Sequence, residues 1–317
     1  MDFEPYAAEM TRVTIIGAGV VGAATGKGLV QHGHDVEFVD IDRARVEQLR
    51  AEGLRATTEL QLAGRELVFL TLPTPNDGYR CDLRPLLEAT AEVGEAIAAG
   101  NEFHTVVVRS TVPPTTCDSV VTPLLERTSG RAFGEGFSVA SNPEFLRARS
   151  ALEDFLHPWM TVIGSRSPRT LERLSELLAP FGGELRRFAL PATAELIKYA
   201  HNLFNATKIS FWNEIWSVCA RLRVDAGEVA GVVSRSAEGS TNAEYGTRGG
   251  EPYGGACLPK DTKAFLGFLD QLGLDGPLLS AVDEVNERMH EPRTAKQAAA
   301  GASAPLHPLR SAGWLPG

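Results

Sequence analysis

The run Gly17-Ala18-Gly19-Val20-Val21-Gly22 lies between two segments of different periodicity. The β-branched stretch Val13–Ile16 before it predicts a strand, and a helical pattern extends from Val20 to His32. In this setting glycines allow a tight turn, and their missing side chains let the backbone approach a pyrophosphate at the helix N-terminus. The run therefore predicts a dinucleotide site that includes Gly17, Gly19, Val20, Val21 and Gly22. The alternative is a glycine turn in an α/β domain without a cofactor.

A carboxylate at the end of the second predicted strand narrows the choice of dinucleotide. The strand Val36–Val39 ends at Asp40, 23 residues after Gly17. Asp40 would accept hydrogen bonds from the adenosine ribose hydroxyls and repel the 2′-phosphate of NADP. Arg45, about one helical turn further on, complicates this preference and is a further candidate cofactor contact. The expected cofactor is NAD.

The alternation of strands and helices predicts the fold class of the first half. Further strands are predicted at Leu67–Leu70, Thr105–Val108, Phe137–Ala140 and Met160–Ile163. A helical pattern follows Asp82, which is the predicted N-cap. Strands that alternate with helices indicate βαβ units and a mainly parallel sheet. We predict a Rossmann-type, doubly wound α/β domain over residues 1–191.

The second half is predicted to be helical. One pattern without internal Gly or Pro runs from Ala192 to Leu222. Shorter patterns cover Asp225–Ser234, Asp261–Leu272 and Leu278–Met289, and a Gly-rich segment lies between Gly239 and Gly255. We predict an all-helical central domain over residues 192–291 and a disordered, low-complexity tail over residues 292–317.

Composition excludes several classes of function. The 317 residues suffice for two or three domains, and 43% hydrophobic with 22% charged residues is typical of a globular chain. A net charge of −9 argues against nucleic acid or an anionic membrane as the main partner. The four cysteines have no Cys-x-x-Cys spacing, and Met1–Met10 has no basic residue. We therefore expect a cytoplasmic protein without a metal site.

Cys257 stands in the run Tyr253-Gly254-Gly255-Ala256-Cys257-Leu258-Pro259-Lys260-Asp261. A cysteine after paired glycines is sterically open, and Lys260 nearby would favour the thiolate, which is the reactive form. Asp261 would begin the following helix and lie close to the thiol. A lone cysteine in a turn is ordinarily structural, but these neighbours favour a nucleophile. The cysteines without such a context are predicted to be structural: Cys81, Cys117 and Cys219.

Lys198 and Asn202 are four residues apart in the long helix and therefore share a face. Side by side, an ammonium and an amide would stabilise a developing oxyanion. The alternative is a solvated helix face. Apolar residues surround this segment, and a lysine on a buried helix needs a role.

Polar residues also follow the fourth and fifth predicted strands, at the edge where open α/β sheets bind ligands. Glu144 lies in the run Asn142-Pro143-Glu144-Phe145-Leu146-Arg147 and is a candidate base or ligand contact. The alternative is a turn carboxylate that pairs with Arg147. Thr111, in Arg109-Ser110-Thr111-Val112-Pro113, is predicted to face the cofactor crevice.

Together these motifs resemble the UDP-glucose/GDP-mannose 6-dehydrogenase family of NAD-dependent nucleotide-sugar dehydrogenases. The resemblance extends in the family's order from about Arg12 to Arg288. It is carried by Gly17 to Gly22, Leu72-Pro73-Thr74-Pro75, Ser110-Thr111-Val112-Pro113, Asn142 to Arg147, Ala194-Glu195, Lys198-Tyr199, Asn202, Lys208-Ile209, Phe211, Asn213-Glu214, Tyr253-Gly254-Gly255, Cys257 to Asp261 and Val285-Asn286-Glu287.

The resemblance implies that a sugar primary alcohol is oxidised to a carboxylate while two NAD are reduced. Lys198 and Asn202 would steady the oxyanion, and Asp261 with Thr111 would hold a water that exchanges protons. Cys257 would attack the bound aldehyde to give a thiohemiacetal and then a thioester, whose hydrolysis Glu144 would assist. By matching position, further cofactor contacts are Thr74, Pro75, Ser110 and Thr111, and substrate contacts are Glu144, Phe145, Leu146, Arg147, Tyr253 and Gly254.

The chain departs from the family pattern at three places. Ala148 and Arg149 stand where the family has a second acid that positions the active-site lysine and the water. The hydrolysis of the thioester would have to proceed without that acid. Gly53–Thr58 is a shortened connection that trims a loop beside the adenosine pocket. Family members continue into a third domain over the substrate nucleotide, which Arg293–Gly317 cannot form. We therefore expect weak binding of a UDP group, or a smaller substrate.

Two other functions stay open. One is a two-electron NAD-dependent alcohol dehydrogenase that acts on a smaller nucleotide or a sugar phosphate. The other is a truncated, non-catalytic remnant that binds NAD. Family members dimerise through the long helix, so the expected partners are the nucleotide-sugar substrate and a second copy bound through residues 192–222, and neither nucleic acid nor membrane.

Overall fold

The structure is a computed structural model that describes residues 10–77, 80–247, 251–255 and 257–290. Eight strands form its main sheet: β1 (Arg12–Ile16), β2 (Asp35–Val39), β3 (Arg55–Thr57), β4 (Leu67–Leu70), β7 (His104–Val108), β8 (Phe137–Ser141), β9 (Met160–Ser165) and β10 (Glu184–Phe188). A separate two-stranded hairpin comprises β5 (Asn76–Asp77) and β6 (Arg80–Cys81). The predicted tail, residues 292–317, lies outside the described residues.

The sheet has the order β10-β9-β8-β7-β4-β1-β2-β3, and every pair is parallel except β8 with β9. The chain leaves β1 towards β2 on one side and returns to β4 on the other, so the strand order reverses between β1 and β4. Loops that follow parallel strands emerge at one edge, and the reversal opens a crevice there. This topology confirms the predicted doubly wound, mainly parallel sheet.

Six helices cover the two faces of this sheet: α1 (Val20–Gln31), α2 (Arg43–Ala51), α3 (Arg84–Ala99), α4 (Thr122–Ser129), α5 (Ala151–Leu156) and α6 (Pro168–Leu178). Successive side chains of β4 point to opposite faces. Phe69 packs in a core with Leu29 of α1, whereas its neighbour Val68 packs in a second core with Leu86 of α3. Because both faces are buried, the strand residues form continuous apolar runs in the sequence.

The sequence did not predict the two strands at the edges of the sheet or the hairpin. β3 has only three residues, and β10 exposes Arg186 and Arg187, so neither forms an apolar run. The predicted N-cap of α3 was wrong by one residue, since Leu83 occupies that position. The Asp82 carboxylate instead accepts the Arg84 N–H at 3.0 Å and forms an ion pair with the Arg84 side chain.

Contacts divide the described chain into two compact units, and the division falls within the long helix α7 (Pro191–Leu222), between Ala200 and His201. The second unit contains the rest of α7 with α8 (Ala226–Ser236), α9 (Glu238–Thr241), α10 (Leu258–Leu272) and α11 (Pro277–His290). Its described elements are all helical, as predicted. The predicted domain limits of 1–191 and 192–291 stay predictions.

A carboxylate connects two helices of the second unit. Glu214 of α7 accepts the N–H of Leu278 at 2.6 Å and the N–H of Leu279 at 3.2 Å. These N–H groups belong to the first turn of α11 and have no partner within that helix. Glu214 therefore caps α11. No helix among the described residues is both long and apolar enough to cross a membrane.

Candidate active site

The three glycines of the run Gly17 to Gly22 have three different geometries. Gly17 has φ +87°, and a Cβ there would lie 2.8 Å from the Thr71 carbonyl oxygen. A Cβ at Gly22 would collide with the Gly17 carbonyl oxygen. A Cβ at Gly19 would meet nothing within 4 Å. Gly17 and Gly22 are thus required by the turn and its packing, whereas Gly19 leaves its face open to an approaching ligand.

Helix α1 begins at Val20, directly after this open position, with Val21 in its first turn. Its first turn holds no acidic side chain, and Gly19 as N-cap offers no side-chain hydrogen bond. Unpaired N–H groups at a helix N-terminus attract phosphate. The open face at Gly19 and the uncapped helix N-terminus together fit the pyrophosphate of NAD.

The Asp40 carboxylate accepts two backbone hydrogen bonds, one of which comes from the glycine loop. The Ala18 N–H donates to Asp40 Oδ2 at 2.6 Å, and the Asp42 N–H donates to Asp40 Oδ1 at 2.9 Å. Arg45 Nε donates to the Ala18 carbonyl oxygen at 2.6 Å. The carboxylate and the guanidinium therefore both adjoin the loop, where the sequence predicted contacts to the adenosine half of NAD.

The loops after β4 and β7 are also joined to each other. Thr74 Oγ1 donates to the Thr111 carbonyl oxygen at 2.8 Å, and Ser110 Oγ donates to the Leu72 carbonyl oxygen at 2.8 Å. The Pro75 carbonyl oxygen accepts the Asp82 N–H at 2.7 Å. These hydrogen bonds connect the two loops that carry the predicted cofactor contacts, at the edge of the sheet that also bears the glycine loop. The contacts are Thr74, Pro75, Ser110 and Thr111.

Glu144 and Lys198 form a buried ion pair. Lys198 Nζ lies 2.9 Å from Glu144 Oε1, and the two side chains are 7% and 14% exposed. The same Nζ lies 5.4 Å from the centre of the Phe145 ring, and the Leu146 N–H donates to Glu144 Oε2 at 2.5 Å. The alternative of a solvated helix face is wrong at Lys198 itself, because the start of α7, as far as Ala200, is part of the first unit and Lys198 is buried there.

The alternative in which Glu144 pairs with Arg147 is also wrong. The exposed Arg147 side chain bonds Asp154, with Nη2 to Oδ1 at 2.6 Å. This guanidinium holds the pKa of the Asp154 carboxyl well below its usual range. Arg147 therefore joins its own loop to α5, and Glu144 pairs with Lys198 instead.

Arg109, which stands in the run Arg109-Ser110-Thr111-Val112-Pro113 and was not predicted as a site residue, is a buried cation. Its Nη1 donates to Asn142 Oδ1 at 2.5 Å, and its guanidinium carbon lies 5.3 Å from the centre of the Phe155 ring. Burial lowers its pKa to about 10, so it stays charged at neutral pH. Its Nε finds no hydrogen-bond partner among the described residues. Its position at the end of a strand, directly before Ser110, was the signal in the sequence.

The predicted nucleophile belongs to the second unit. Cys257 is exposed and occupies the N-cap of α10, which begins at Leu258 and not at Asp261. The Asp261 N–H donates to the Cys257 carbonyl oxygen at 2.8 Å. Lys260 forms an ion pair with the Asp261 carboxylate. The thiol is thus accessible at the start of a helix, and the ammonium of Lys260 is directed to the Asp261 carboxylate.

The segment before Cys257 is anchored to α11. The Tyr253 N–H donates to Oδ1 of Asn286 at 2.8 Å, and Asn286 is buried. The Tyr253 hydroxyl is buried and has no hydrogen-bond partner in the described part of the chain. Gly254 is exposed with open space at its Cβ position. Asn202 is exposed on the second-unit part of α7.

The other cysteines are unpaired: Cys81 is half-buried, and Cys117 and Cys219 are buried. Burial and the neighbouring Glu195 carboxylate raise the pKa of the Cys117 thiol. Among the described residues, no group of three or more His, Cys, Asp and Glu side chains is arranged to hold a metal ion.

Comparisons with known proteins identify the family that the chain matches. The model of the NAD-binding domain of the UDP-glucose/GDP-mannose dehydrogenase family matches residues 11–57 and 49–182, and the model of its central domain matches residues 192–288. The chain is 35% identical over 310 residues to the UDP-glucose 6-dehydrogenase AglM of Haloferax volcanii, covering 88% of this chain and 70% of that protein. It is 37% identical over 298 residues to the GDP-mannose 6-dehydrogenase of Azotobacter vinelandii, covering 87% and 68%.

The fold is also that of a solved relative. A ternary complex of GDP-mannose dehydrogenase from Pseudomonas aeruginosa superposes with a TM-score of 0.83 at 34% identity. The superposition covers 88% of this chain and 69% of that one. The similarity therefore includes both the sheet domain and the helical unit, and it extends over about two thirds of each relative.

Proposed function

Because the chain belongs to the UDP-glucose/GDP-mannose dehydrogenase family, we propose that it oxidises the primary alcohol of a nucleotide sugar to the carboxylate in two steps. The observation that carries this proposal is the buried Lys198–Glu144 pair at the sheet edge that also bears the open glycine loop. A buried ion pair is weak evidence for stability, since apolar residues often serve as well. The position of this pair beside a cofactor cradle supports a catalytic role.

Bound NAD supplies the hydride acceptor for each of the two oxidations. In the first, Lys198 donates a hydrogen bond to the substrate oxygen as the hydroxyl loses its proton, and Asn202 stabilises the same developing charge. A water held by Asp261 and Thr111 takes that proton. The product of this step is an aldehyde.

In the second oxidation, the Cys257 sulfur adds to the aldehyde carbon, and the carbonyl oxygen takes a proton to give a thiohemiacetal. Loss of hydride and of the hydroxyl proton converts it into a thioester. Glu144 then takes a proton from water as that water attacks, the carbon–sulfur bond breaks, and the thiolate and the acid are released. The covalent bond keeps the reactive aldehyde in the site between the two oxidations.

The test compares Cys257→Ala with Cys219→Ala, a control at a buried cysteine of α7 that no step of the proposed reaction uses. Each is incubated with NAD and with UDP-glucose, GDP-mannose, UDP-N-acetyl sugars or sugar phosphates, and NADH is counted against the acid formed. We expect two NADH per acid for the wild type and for Cys219→Ala, and no acid for Cys257→Ala.

Other results decide between the alternatives. Acid formation by Cys257→Ala at the normal rate rules out the covalent step. One NADH per aldehyde or ketone, unaffected by Cys257→Ala, indicates a two-electron alcohol dehydrogenase. Intact NAD binding without turnover of any of these substrates indicates a non-catalytic protein.

We also propose that the chain acts as a homodimer in the cytoplasm. The second-unit part of α7 carries four large apolar side chains that are each more than 60% exposed: Leu203, Phe204, Ile209 and Trp216. A surface of this kind supports contact with a second copy. Four unpaired cysteines support a reducing compartment. Sedimentation velocity should give a dimer for the wild type and a monomer for Phe204→Asp.

A further inference from the structure

The Glu195 carboxylate is buried and holds a loop that lies far from it in the sequence. The residue is 2% exposed. Its Oε2 accepts the Thr115 N–H at 2.6 Å, and its Oε1 accepts the Cys117 N–H at 2.8 Å. Both oxygens are therefore used, and both bind the segment that follows the Ser110-Thr111-Val112-Pro113 run.

The hydrogen bonds of Glu195 connect α7 to the loop that contains Thr115 and Cys117. In this loop, Thr115 has an unfavourable backbone conformation. Thr115 has φ +79°, in the left-handed region that a β-branched residue rarely adopts. Such a conformation persists only where its surroundings hold it. The charge-assisted bond from the Thr115 N–H to Glu195 is one of the interactions that hold it. The loop is therefore kept in one arrangement rather than left to relax.

Glu195 itself lies about one helical turn from the buried ion pair of Lys198 and Glu144. Glu195 precedes Lys198 by three residues in α7, so the two side chains project from neighbouring positions on one side of the helix. Lys198 bonds Glu144, and the Thr111 carbonyl oxygen accepts Thr74 Oγ1. Glu195 thus lies between a loop that is fixed at Thr111 and a lysine that is fixed at Glu144.

We propose that Glu195 is a positioning residue that sets the distance between the Thr111 loop and the Lys198 ammonium. This inference rests on the proposed function, in which Lys198 stabilises the oxyanion and Thr111 helps to hold the water. Loss of the connection lets the start of α7 and the loop move apart, and small displacements at a reacting centre have large effects on rate.

The variant Glu195→Gln keeps the shape of the side chain but replaces one acceptor oxygen with an NH₂ group. That group then opposes the N–H of Thr115 or of Cys117. Glu214→Gln is the matched control, because Glu214 likewise accepts two backbone N–H groups, on α11 in the second unit. Rates are divided by the folded fraction, which is measured by thermal unfolding.

We expect Glu195→Gln to lower kcat about 10- to 100-fold with a change of less than about threefold in the KM of the nucleotide sugar and in the Kd of NAD. Glu214→Gln should change kcat by less than about threefold. If Glu195→Gln does not fold, Glu195→Asp replaces it, because the shortened carboxylate keeps the charge but cannot reach both N–H groups.

A double-variant cycle separates positioning from simple support of the fold. If Glu195 acts through Lys198, Glu195→Gln costs no further activity in a Lys198→Met background. An equal loss in both backgrounds, or a loss no larger than that of Glu214→Gln, overturns the positioning role. If Lys198→Met alone leaves kcat unchanged, the role of Lys198 in the proposed function fails, and this outcome is distinct from the other two.

Discussion

Lys198 Nζ lies 2.9 Å from Glu144 Oε1, and both side chains are largely removed from solvent. The pair joins the start of α7 to the loop after β8. Removal of one partner from a buried ion pair leaves an uncompensated charge and typically costs about 3–5 kcal/mol. Glu144→Gln should therefore lower the free energy of unfolding by about that amount and also reduce kcat, as measured by denaturant titration and steady-state assay.

A second variant separates the stability of this pair from its chemistry. The double variant Glu144→Gln/Lys198→Met also removes the lysine charge, so part of the lost stability should return while the activity stays low. The return should be incomplete, because the buried Arg109 guanidinium, whose charge Glu144 also stabilises, keeps its charge. Glu153→Gln is the control, because Glu153 pairs with His157 where both side chains are more than 70% exposed. A loss below about 1 kcal/mol in Glu144→Gln would contradict the burial argument.

Two alanine substitutions in the glycine run should have different consequences. Gly19 has φ −63° and open space at its Cβ position, so Gly19→Ala should leave the thermal midpoint unchanged. Its methyl group would occupy the face to which the pyrophosphate binds, and the Kd of NAD should rise at least about tenfold. Gly22→Ala should lower the thermal midpoint as well, because its methyl group collides with the Gly17 carbonyl oxygen. Calorimetric titration and thermal unfolding measure the two effects, and equal midpoint losses would refute the distinction.

Asp40→Asn should weaken the preference for NAD over NADP. The amide oxygen of Asn still accepts the Ala18 N–H, whereas its NH₂ group opposes the Asp42 N–H, and the negative charge that repels a 2′-phosphate is removed. Arg45, which bonds the Ala18 carbonyl oxygen, then faces the 2′-phosphate without an opposing carboxylate. We expect the ratio of Kd(NADP) to Kd(NAD) to fall about tenfold or more, with Asp42→Asn as the control. An unchanged ratio would mean that Asp40 does not face the ribose.

Stability should fall below pH 6.5 because of His34. Its ring is buried, and its Nδ1 accepts the Thr11 N–H at 3.3 Å, so this nitrogen carries no proton. Burial, with His32 and Arg173 nearby, lowers the pKa of His34 in the folded chain below 6.5. As the pH falls below 6.5, the unfolded chain takes up a proton that the folded chain resists. The free energy of unfolding therefore decreases, by at most about 1.4 kcal/mol per pH unit and proton.

Thermal unfolding at pH 8 and at pH 5.5 tests this dependence. His34→Gln retains an acceptor for the Thr11 N–H and cannot titrate, so its midpoint should fall less than that of the wild type. The fall should not vanish, because burial also lowers the pKa of His104. The exposed His157 serves as the control through His157→Gln. Identical losses in the wild type and His34→Gln would show that His34 does not contribute.

Local sequence was sufficient for the central strands, the long helices and the glycine loop. Strands and helices are indicated by the periodicity of their apolar residues, and the glycine loop by residues without a side chain. Both patterns are contained in a few neighbouring residues. The edge strands β3 and β10 were not predicted, because a short or charged segment joins a sheet through backbone hydrogen bonds to a neighbour that local sequence does not identify. The matched motifs also indicated Cys257, Lys198 and Glu144 as site residues, and the roles of these residues stay predictions.

Only the tertiary structure decided which groups pair. From the sequence, Arg147 is the nearest cation to Glu144, yet Glu144 bonds Lys198, which lies 54 residues further on, and Arg147 bonds Asp154. Glu195 had no assigned partner in the sequence, and the fold brings it to the N–H groups of Thr115 and Cys117. Hydrogen bonds and buried ion pairs act over about 3 Å, so they depend on which side chains packing brings together, and that packing depends on the whole chain.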